Sequence, residues 1–213
     1  MNQPENDFTK NRNTAVETLK KNPLVFLFLG IEHVWIWCIV QMFGGLAYKR
    51  KYFKSRHFKH VWSPGWRWAY NGMFAKVFCG KGRGIPWPIG AACGINPSNI
   101  EFHPDDLNNF QVDVYFQCWS TGKIKIGRES YIAKGCALIT TNHDPLNPNK
   151  HLPAKDIVLG EQCWLGANAV ILPGVVLGDN TVVGANTVVT KSYPAGRCVL
   201  GGVPAKIIRT FSE

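Results

Sequence analysis

Residues 157–190 read IVLGEQCWLGANAVILPGVVLGDNTVVGANTVVT, and an aliphatic side chain returns at every sixth position of this stretch. Neither an α-helix, with about 3.6 residues per turn, nor a simple strand, whose side chains alternate between two faces, has a period of six. A second column of compact or β-branched residues stands two positions before each aliphatic. The aliphatic column comprises Leu159, Leu165, Ile171, Leu177, Val183 and Val189, and the compact column comprises Ile157, Cys163, Ala169, Val175, Thr181 and Thr187.

Glycine follows the aliphatic residue in four of these six units, at Gly160, Gly166, Gly178 and Gly184. A residue without a Cβ can take the backbone around a corner. A six-residue repeat with these columns is typical of a parallel β-helix. Three units make one triangular coil, and stacked coils pair their strands at about 4.8 Å. We therefore predict an all-β solenoid in which each inward aliphatic lies on another from the coil below.

The repeat continues towards the N-terminus and contains one interruption. Ile126, Ile132 and Leu138 keep the six-residue step, but the step from Leu138 to Leu159 is 21 residues, which is not a multiple of six. We infer a loop inserted at about residues 140–156. Long loops on a rigid scaffold often carry functional residues, so this loop is the first place to look for chemistry.

The start of the coil is harder to define. Residues 96–122 show no regular spacing, and we interpret them as irregular structure. Ile89 and Ile95 keep the six-residue step and are candidates to begin the first coil. Gly and Pro are concentrated at residues 80–90, which indicates a junction between two parts of the chain.

Charge is divided unevenly between these two parts. Residues 1–84 carry 14 Lys and Arg against 4 Asp and Glu, whereas residues 85–213 carry 10 against 10. All of the basic excess therefore belongs to the N-terminal part. We predict a basic, aromatic and helical extension over residues 1–84 and a β-helix domain over residues 85–213.

The extension contains an apolar run at residues 24–47 that is long enough to cross a bilayer. Glu32, His33 and Gln41 interrupt the run and argue against a simple span. Cations flank both of its ends, so the positive-inside rule gives only a weak orientation. Aromatic rings alternate with Lys and Arg after it, which is typical of the membrane–water interface. We predict a monotopic or re-entrant anchor on an anionic membrane, at its inner, cytoplasmic face.

Two other interpretations of the apolar run stay open. The run could be a helix buried between subunits of an oligomer, or a signal peptide with a cleavage site at residues 45–47. Nucleic acid is not an expected partner, because the apolar run has no role in nucleic-acid binding. The seven cysteines form no CxxC pair, and Cys136 and Cys163 fall in inward columns of the coil. They are therefore interpreted as reduced core residues of a cytoplasmic protein.

Four segments carry a resemblance to a known family: IAKGCALITTNHD (132–144), CWLGANAVILPG (163–174), VGANTVVTK (183–191) and GGVPAKIIR (201–209). They resemble the hexapeptide-repeat acyltransferases of left-handed β-helix fold, and among them the galactoside, maltose and xenobiotic acetyltransferases. The resemblance covers about two fifths of the chain. It implies a left-handed coil, acetyl-CoA as acyl donor, a saccharide hydroxyl as acceptor, and a homotrimer with active sites between subunits.

His143 is the candidate general base. Transfer of an acyl group from a thioester to a hydroxyl requires a base for the hydroxyl proton, and a neutral imidazole is suited to this near pH 7. In the resembled enzymes this histidine lies eleven residues after the Ile of an Ile-Ala pair, and Ile132 and His143 reproduce that spacing. Asp144 is predicted to orient the imidazole, and Asn142 to hydrogen-bond the substrate or the developing oxyanion. Asn-His-Asp before Pro145 is equally a turn sequence.

The resemblance also implies a set of donor-binding residues. Trp164 would line the acetyl pocket, with the pantetheine arm running along the coils and cations meeting the phosphates of coenzyme A. In the alternative interpretation, residues 202–205 only end the solenoid. The implied donor set is Trp164, Gly166, Ala167, Ala185, Thr190, Lys191, Pro204, Lys206 and Arg209.

Acceptor recognition departs from the family pattern. The family often has an Asn in a Phe-x-Asn context that contacts the acceptor sugar, whereas this chain has Phe116-Gln117-Cys118-Trp119. The acceptor could be a lipid-linked or capsular sugar. An acyl carrier protein as donor and a non-catalytic trimeric scaffold are the alternatives. A zinc hydratase on the same coil would need three imidazoles, and the repeat region offers His143 and His151 alone, so no metal site is expected.

Overall fold

The structure is a computed structural model that describes residues 23–79, 85–88, 99–110, 114–118 and 121–212. It consists of a helical extension followed by a parallel β-helix of hexapeptide repeats. The expectation that Ile89 and Ile95 begin the first coil falls outside the described residues.

Three stacked parallel sheets form the faces of the β-helix, and each coil visits sheets A, B and C in that order. Sheet A contains β1 (Ile100–Glu101), β3 (Ile124–Ile126), β8 (Ile157–Leu159) and β11 (Val176–Leu177). Sheet B contains β4 (Tyr131–Ile132), β9 (Trp164–Leu165), β12 (Val182–Val183), β14 (Cys198–Gly201) and the antiparallel β15 (Lys206–Thr210). Sheet C contains β2 (Tyr115–Gln117), β5 (Ala137–Ile139), β10 (Val170–Ile171) and β13 (Val188–Val189).

The core of the β-helix is the pair of columns expected from the repeat. All six aliphatic residues are buried, and so are all six residues of the compact column. Leu165 pairs with Val183 across sheet B, eighteen residues or three units further along the chain. Each turn thus stacks its apolar residues on those of the neighbouring turn, and this burial is the main driving force for the fold.

The repeat glycines have a different role from the one expected. Left-handed backbone positions fall at the corners two residues after the glycine column, and they include Gln162, Asn168, Gly174, Asn180 and Asn186. Asn is among the few residues other than Gly that adopt this conformation readily.

Glycine is instead required where neighbouring coils approach closely. A Cβ on Gly160 would lie 2.6 Å from the backbone nitrogen of Asp179 in the next coil. A Cβ on Gly166 would lie 2.7 Å from the backbone nitrogen of Ala185. The glycine column therefore allows the coils to stack rather than to turn.

In the region interpreted as irregular, residues 96–122, the residues that the structure describes form the first complete coil of its described part. Ile100 pairs with Ile124 in sheet A, Phe110 bridges to Ile132 in sheet B, and Phe116 pairs with Leu138 in sheet C. A 3₁₀-helix (Pro104–Asn109) lies between β1 and Phe110 and breaks the six-residue spacing. Phenylalanine also replaces the aliphatic residue, and both changes hide this coil from a search for aliphatic periodicity.

The inserted loop forms a β-hairpin. Strand β6 (His143–Asp144) pairs antiparallel with β7 (Asn147–His151), and the hairpin leaves the coil after β5 and returns at β8. It therefore projects from the corner between sheets C and A. Backbone bonds from Lys155 to Thr140 and from Leu152 to Asn142 close its base.

The extension is a helical hairpin. Helix α1 (Pro23–Ala47) packs against α2 (Pro64–Cys79), and two 3₁₀-helices (Arg50–Lys54 and Arg56–Phe58) connect them. Ile36 and Val40 of α1 and Trp66 and Ala69 of α2 are buried. Most of the remaining apolar surface of α1 is exposed.

The extension is docked on the first coil. The Tyr52 ring stacks on Phe102, with centroids 5.8 Å apart. The Arg56 backbone N–H donates to Asp105 Oδ1 at 2.6 Å, and His57 Nε2 lies 2.8 Å from the Asp105 carbonyl oxygen. The Arg56 N–H holds the pKa of the Asp105 carboxyl below its ordinary value.

Candidate active site

His143 stands at the base of the corner hairpin with its imidazole exposed. Its Nδ1 lies 2.5 Å from the Pro148 carbonyl oxygen on the opposite strand. The ring of His151, its partner in the strand register, packs against it with centroids 4.3 Å apart. The imidazole is thus held by a hydrogen bond and a ring contact.

The hydrogen-bond partner of the His143 ring is the Pro148 carbonyl, whereas Asp144, which is predicted to orient the imidazole, makes a different contact. Asp144 Oδ1 accepts a hydrogen bond from the Leu146 backbone N–H at 2.9 Å. This is a local turn contact of the kind that Asp makes two residues ahead of itself. The turn interpretation of this Asp therefore describes the observed geometry. Asn142 is exposed, and its carbonyl accepts from the Leu152 N–H at the base of the hairpin.

A cavity of about 800 Å³ opens beside the His143 ring. Tyr115 and Gln117 of β2 form the wall opposite the hairpin, and Thr141 and His151 complete the polar lining. The Gln117 side-chain oxygen lies 3.4 Å from the Thr141 backbone nitrogen. The cavity has the size and the mixture of ring and polar groups that small-molecule sites have.

Trp164 does not share this cavity. It lies on sheet B, 55% exposed, and lines a separate cavity of about 440 Å³ with Asn109, Tyr131, Ile132 and Ala133. In a triangular coil the corner between sheets C and A is opposite sheet B. One chain therefore cannot bring His143 and Trp164 together.

Four of the implied donor residues follow one corner of the coil. Gly166 and Ala167 turn the chain from sheet B to sheet C, and Ala185 does so one coil later, with Asn186 N–H donating to the Ala167 carbonyl. The turn containing Pro204 covers the end of the same corner, because the Val188 N–H donates to the Gly202 carbonyl. These residues form a continuous line along the coil axis.

The other implied donor residues lie elsewhere. Thr190 and Lys191 are exposed at the corner between sheets C and A, on the same side as the hairpin that carries His143. Lys206 and Arg209 are exposed on β15, and neither forms an ion pair within the described part of the chain. The full donor set is thus split between sheet B, where Trp164 lies, two corners and the terminal strand.

The cysteines of the coil are structural. Cys136, Cys163 and Cys198 are buried and free, and burial raises the pKa of each thiol. A raised pKa keeps a thiol protonated and weakly nucleophilic. Across the residues that the structure describes, no group of three His, Cys, Asp or Glu side chains could hold a metal ion.

Comparison with known proteins agrees with the hexapeptide-repeat architecture. Residues 156–191 match the family model of the bacterial transferase hexapeptide, described as six repeats. The putative colanic acid biosynthesis acetyltransferase WcaF of Escherichia coli K12 is 33% identical over 165 residues, which cover 72% of this chain and 81% of WcaF. The chain belongs to the hexapeptide-repeat acetyltransferases.

Other members of the hexapeptide-repeat acetyltransferases match over shorter lengths. The putative lipopolysaccharide biosynthesis O-acetyl transferase WbbJ of E. coli K12 is 38% identical over 118 residues, which cover 50% of this chain and 60% of WbbJ. Among solved structures, a maltose O-acetyltransferase from Clostridium difficile 630 is 28% identical with a TM-score of 0.46, covering 58% of this chain and 64% of that one.

Three groups at or near the site of this hexapeptide-repeat acetyltransferase could not be predicted from the spacing of residues in its sequence. The Pro148 carbonyl is a backbone group, which any residue could supply. His151 faces His143 only because of the hairpin register. Asn109 belongs to the coil whose repeat is hidden, and its place beside Trp164 follows from the bridge between Phe110 and Ile132.

Proposed function

We propose that this chain transfers an acetyl group from acetyl-CoA to a hydroxyl of a saccharide, with His143 as general base. The observation that carries the proposal is the imidazole of His143, which lines the cavity and whose Nδ1 is held by the Pro148 carbonyl. Relatives named for lipopolysaccharide and colanic acid biosynthesis support a saccharide as acceptor.

The chemistry needs one proton to move through His143. Nε2 takes the proton of the acceptor hydroxyl as its oxygen bonds to the thioester carbon, and the carbon–sulfur bond then breaks. The imidazolium returns the proton to the leaving sulfur, which leaves as the thiol of coenzyme A. General base catalysis of this kind contributes roughly 10²- to 10⁴-fold. Asn142, exposed beside His143, is the proposed donor to the developing oxyanion.

The donor site is proposed to follow the corner between sheets B and C. Gly166, Ala167 and Ala185 present backbone without bulky side chains, which suits a narrow pantetheine arm. Lys206 and Arg209 lack carboxylate partners within the described residues and can meet phosphates at the end of the coil. Lys191 at the other corner would then contact a donor bound to a neighbouring chain.

We infer a homotrimer of left-handed coils because no single chain unites the site. Trp164 on sheet B and His143 at the opposite corner can meet only between two chains. A threefold arrangement would place the hairpin of each chain against sheet B of the next. Each cleft would then contain His143 and Lys191 from one subunit and Trp164 with the corner line from its neighbour.

The extension is proposed to dock the enzyme on the inner, cytoplasmic face of an anionic membrane. Leu24, Phe28 and Ile31 of α1 are each more than half exposed. A cavity of about 820 Å³ with a mainly apolar lining lies between the C-terminal ends of α1 and α2, beside the exposed Lys49. Apolar surface beside cations is what an interfacial helix presents to anionic lipid.

Helix α1 is long and apolar enough to cross a membrane, but length and composition alone do not distinguish a membrane helix from other apolar helices. Within the described residues, Leu27–Ala47 is apolar enough to cross a bilayer, and only 17% of that window is buried. Core helices and signal sequences share such composition. The low burial supports contact with lipid or with another subunit over packing inside one chain.

Flotation with vesicles tests the membrane proposal. The full chain should float with vesicles of phosphatidylglycerol and phosphatidylcholine but not with phosphatidylcholine alone. The double variant Phe28→Glu, Ile31→Glu should lose flotation, and Gln41→Glu, a charge added at another exposed position of α1, should keep it. If the full chain does not float with either kind of vesicle, and the double variant loses the trimer, α1 would instead lie between subunits.

Titration of acetyl-CoA tests the catalytic proposal. Wild type and His143→Ala should bind acetyl-CoA with equal affinity, and release of free thiol should fall by roughly 10²-fold or more in the variant. His60→Ala, which removes an exposed imidazole on the extension, is the control and should leave thiol release unchanged. Absence of acetyl-CoA binding by wild type would reject this donor and favour a carrier-protein donor or a scaffold.

A further inference from the structure

The side-chain amide of Asn109 is buried without a hydrogen-bond partner. Asn109 is 3% exposed, and its Nδ2 finds no acceptor in the described part of the chain. A buried donor left unpaired is costly, so most such groups in folded proteins are paired. When an unpaired donor such as Asn109 Nδ2 lines a cavity, a bound ligand can supply the missing acceptor.

The cavity that Asn109 lines has two aromatic walls. Tyr131 and Trp164 are register partners on adjacent strands of sheet B, and both are more than half exposed. The rings of Tyr131 and Trp164 and the amide of Asn109 line a concave site of about 440 Å³. This volume lies in the range of small-molecule sites, where few polar groups orient a mostly apolar contact.

We propose that this cavity is the subsite for the acceptor saccharide and that Asn109 Nδ2 donates a hydrogen bond to a ring or hydroxyl oxygen of the sugar. A pyranose has an apolar face of C–H groups and an edge of oxygen acceptors. The rings of Tyr131 and Trp164 match the face, and the amide matches the edge. The inference rests on the proposed function, in which His143 of a neighbouring chain faces this sheet.

The fold explains how Asn109 reaches the site. It is the last residue of the 3₁₀-helix Pro104–Asn109, and Phe110 next to it is fixed by its bridge to Ile132. Asn109 is therefore held on a rigid element, as a specificity-determining residue requires. The unpaired amide of Asn109 lowers the stability of the folded protein, and destabilising features of this kind concentrate at functional sites.

Asn109→Leu separates a ligand-binding role from a structural one. With acetyl-CoA and a panel of methyl pyranosides of glucose, galactose, mannose and fucose, thiol release and product mass identify the saccharides that wild type acetylates. For these, Asn109→Leu should raise the KM of the saccharide roughly three- to tenfold, with the KM of acetyl-CoA unchanged. Its thermal midpoint should be equal to or higher than that of wild type, because an unpaired polar group has been removed.

Asn99→Leu is the matched control. Asn99 Nδ2 donates to the Cys118 carbonyl at 3.2 Å, so its loss should lower the thermal midpoint and leave the saccharide KM unchanged. Trp164→Leu removes an exposed ring and should raise the saccharide KM in a folded protein.

Four results would overturn the inference. A lower thermal midpoint for Asn109→Leu with an unchanged saccharide KM would assign the amide a structural partner. A raised KM for acetyl-CoA alone would make the cavity part of the donor site, and loss of the trimer would make it a subunit contact. Acetyl-CoA turnover by wild type with no saccharide acetylated would reject the proposed acceptor class, and the inference with it.

Discussion

His143 Nδ1 and the carbonyl oxygen of Pro148 lie 2.5 Å apart across the corner hairpin. A carbonyl oxygen can only accept a hydrogen bond, so the proton of the neutral imidazole is on Nδ1. Nε2 then carries the lone pair, in the protonation state that a general base needs. A backbone carbonyl thus fixes the tautomer and the orientation of the imidazole, as a carboxylate does beside many catalytic histidines.

Asp144→Asn should therefore leave catalysis almost intact. Asn preserves the side-chain oxygen that accepts from the Leu146 N–H, and the imidazole keeps its Pro148 partner. We expect the kcat of Asp144→Asn to stay within about threefold of wild type. By comparison, loss of the orienting carboxylate of a catalytic triad lowers kcat by about 10⁴-fold. A fall of more than 10²-fold in steady-state thiol release would return the orienting role to Asp144.

His151 should act by positioning the His143 ring. Ring contacts of this kind are worth about 0.5 to 1.5 kcal/mol, so His151→Ala should lower kcat roughly three- to tenfold with little change in either KM. His151→Phe keeps a ring at the same place and should restore most of the loss. Equal kcat for the Ala and Phe variants would show that the ring contact has no catalytic consequence.

Asp105 should make the docking of the extension depend on pH. Because the Arg56 N–H lowers the pKa of this carboxyl, its stabilising charge is present at neutral pH and is lost as the pH falls below the ordinary value of about 3.8. Asp105→Asn should cost about 1 kcal/mol at pH 7, since the side chain is partly exposed.

Urea unfolding at pH 7 and pH 3 measures this effect. The difference in free energy of unfolding between wild type and Asp105→Asn should shrink at the lower pH. Glu161→Gln, at an exposed position of the coil, should show no such change. A difference that stays constant between the two pH values would mean that the charge of Asp105 is not involved.

Gly160→Ala and Gly184→Ala should differ in stability although both replace a repeat glycine. A Cβ at 160 would lie 2.6 Å from the Asp179 nitrogen and 2.8 Å from the Gly178 carbonyl carbon, both backbone atoms, whereas the nearest atom at 184 is 3.2 Å away. Gly160→Ala should cost roughly 1 to 3 kcal/mol, and Gly184→Ala less than half as much. Equal losses in denaturant unfolding would contradict the close-approach account.

Spacing predicted the regular coils well because their inward positions are chemically uniform. It failed for the first coil, where Phe110 and Phe116 replace aliphatic residues and a 3₁₀-helix breaks the count. His143 came from the family resemblance, in which a histidine lies eleven residues after the Ile of an Ile-Ala pair, and its catalytic role stays a prediction. Spacing could not find Pro148 or Asn109, since a backbone acceptor and an unpaired amide are properties of three-dimensional placement and leave no mark on composition.

Both ends of the solenoid are occupied. The aromatic packing of Tyr52 on Phe102 lies against the first coil, and at the other end the Ala205 N–H donates to the Val188 carbonyl while β15 pairs with β14. Covering the end of a sheet with other parts of the same chain is one way in which proteins limit edge-to-edge pairing with a second molecule. The ends of the solenoid are therefore less open to stacking by another copy than bare coils would be, which favours association through the lateral faces.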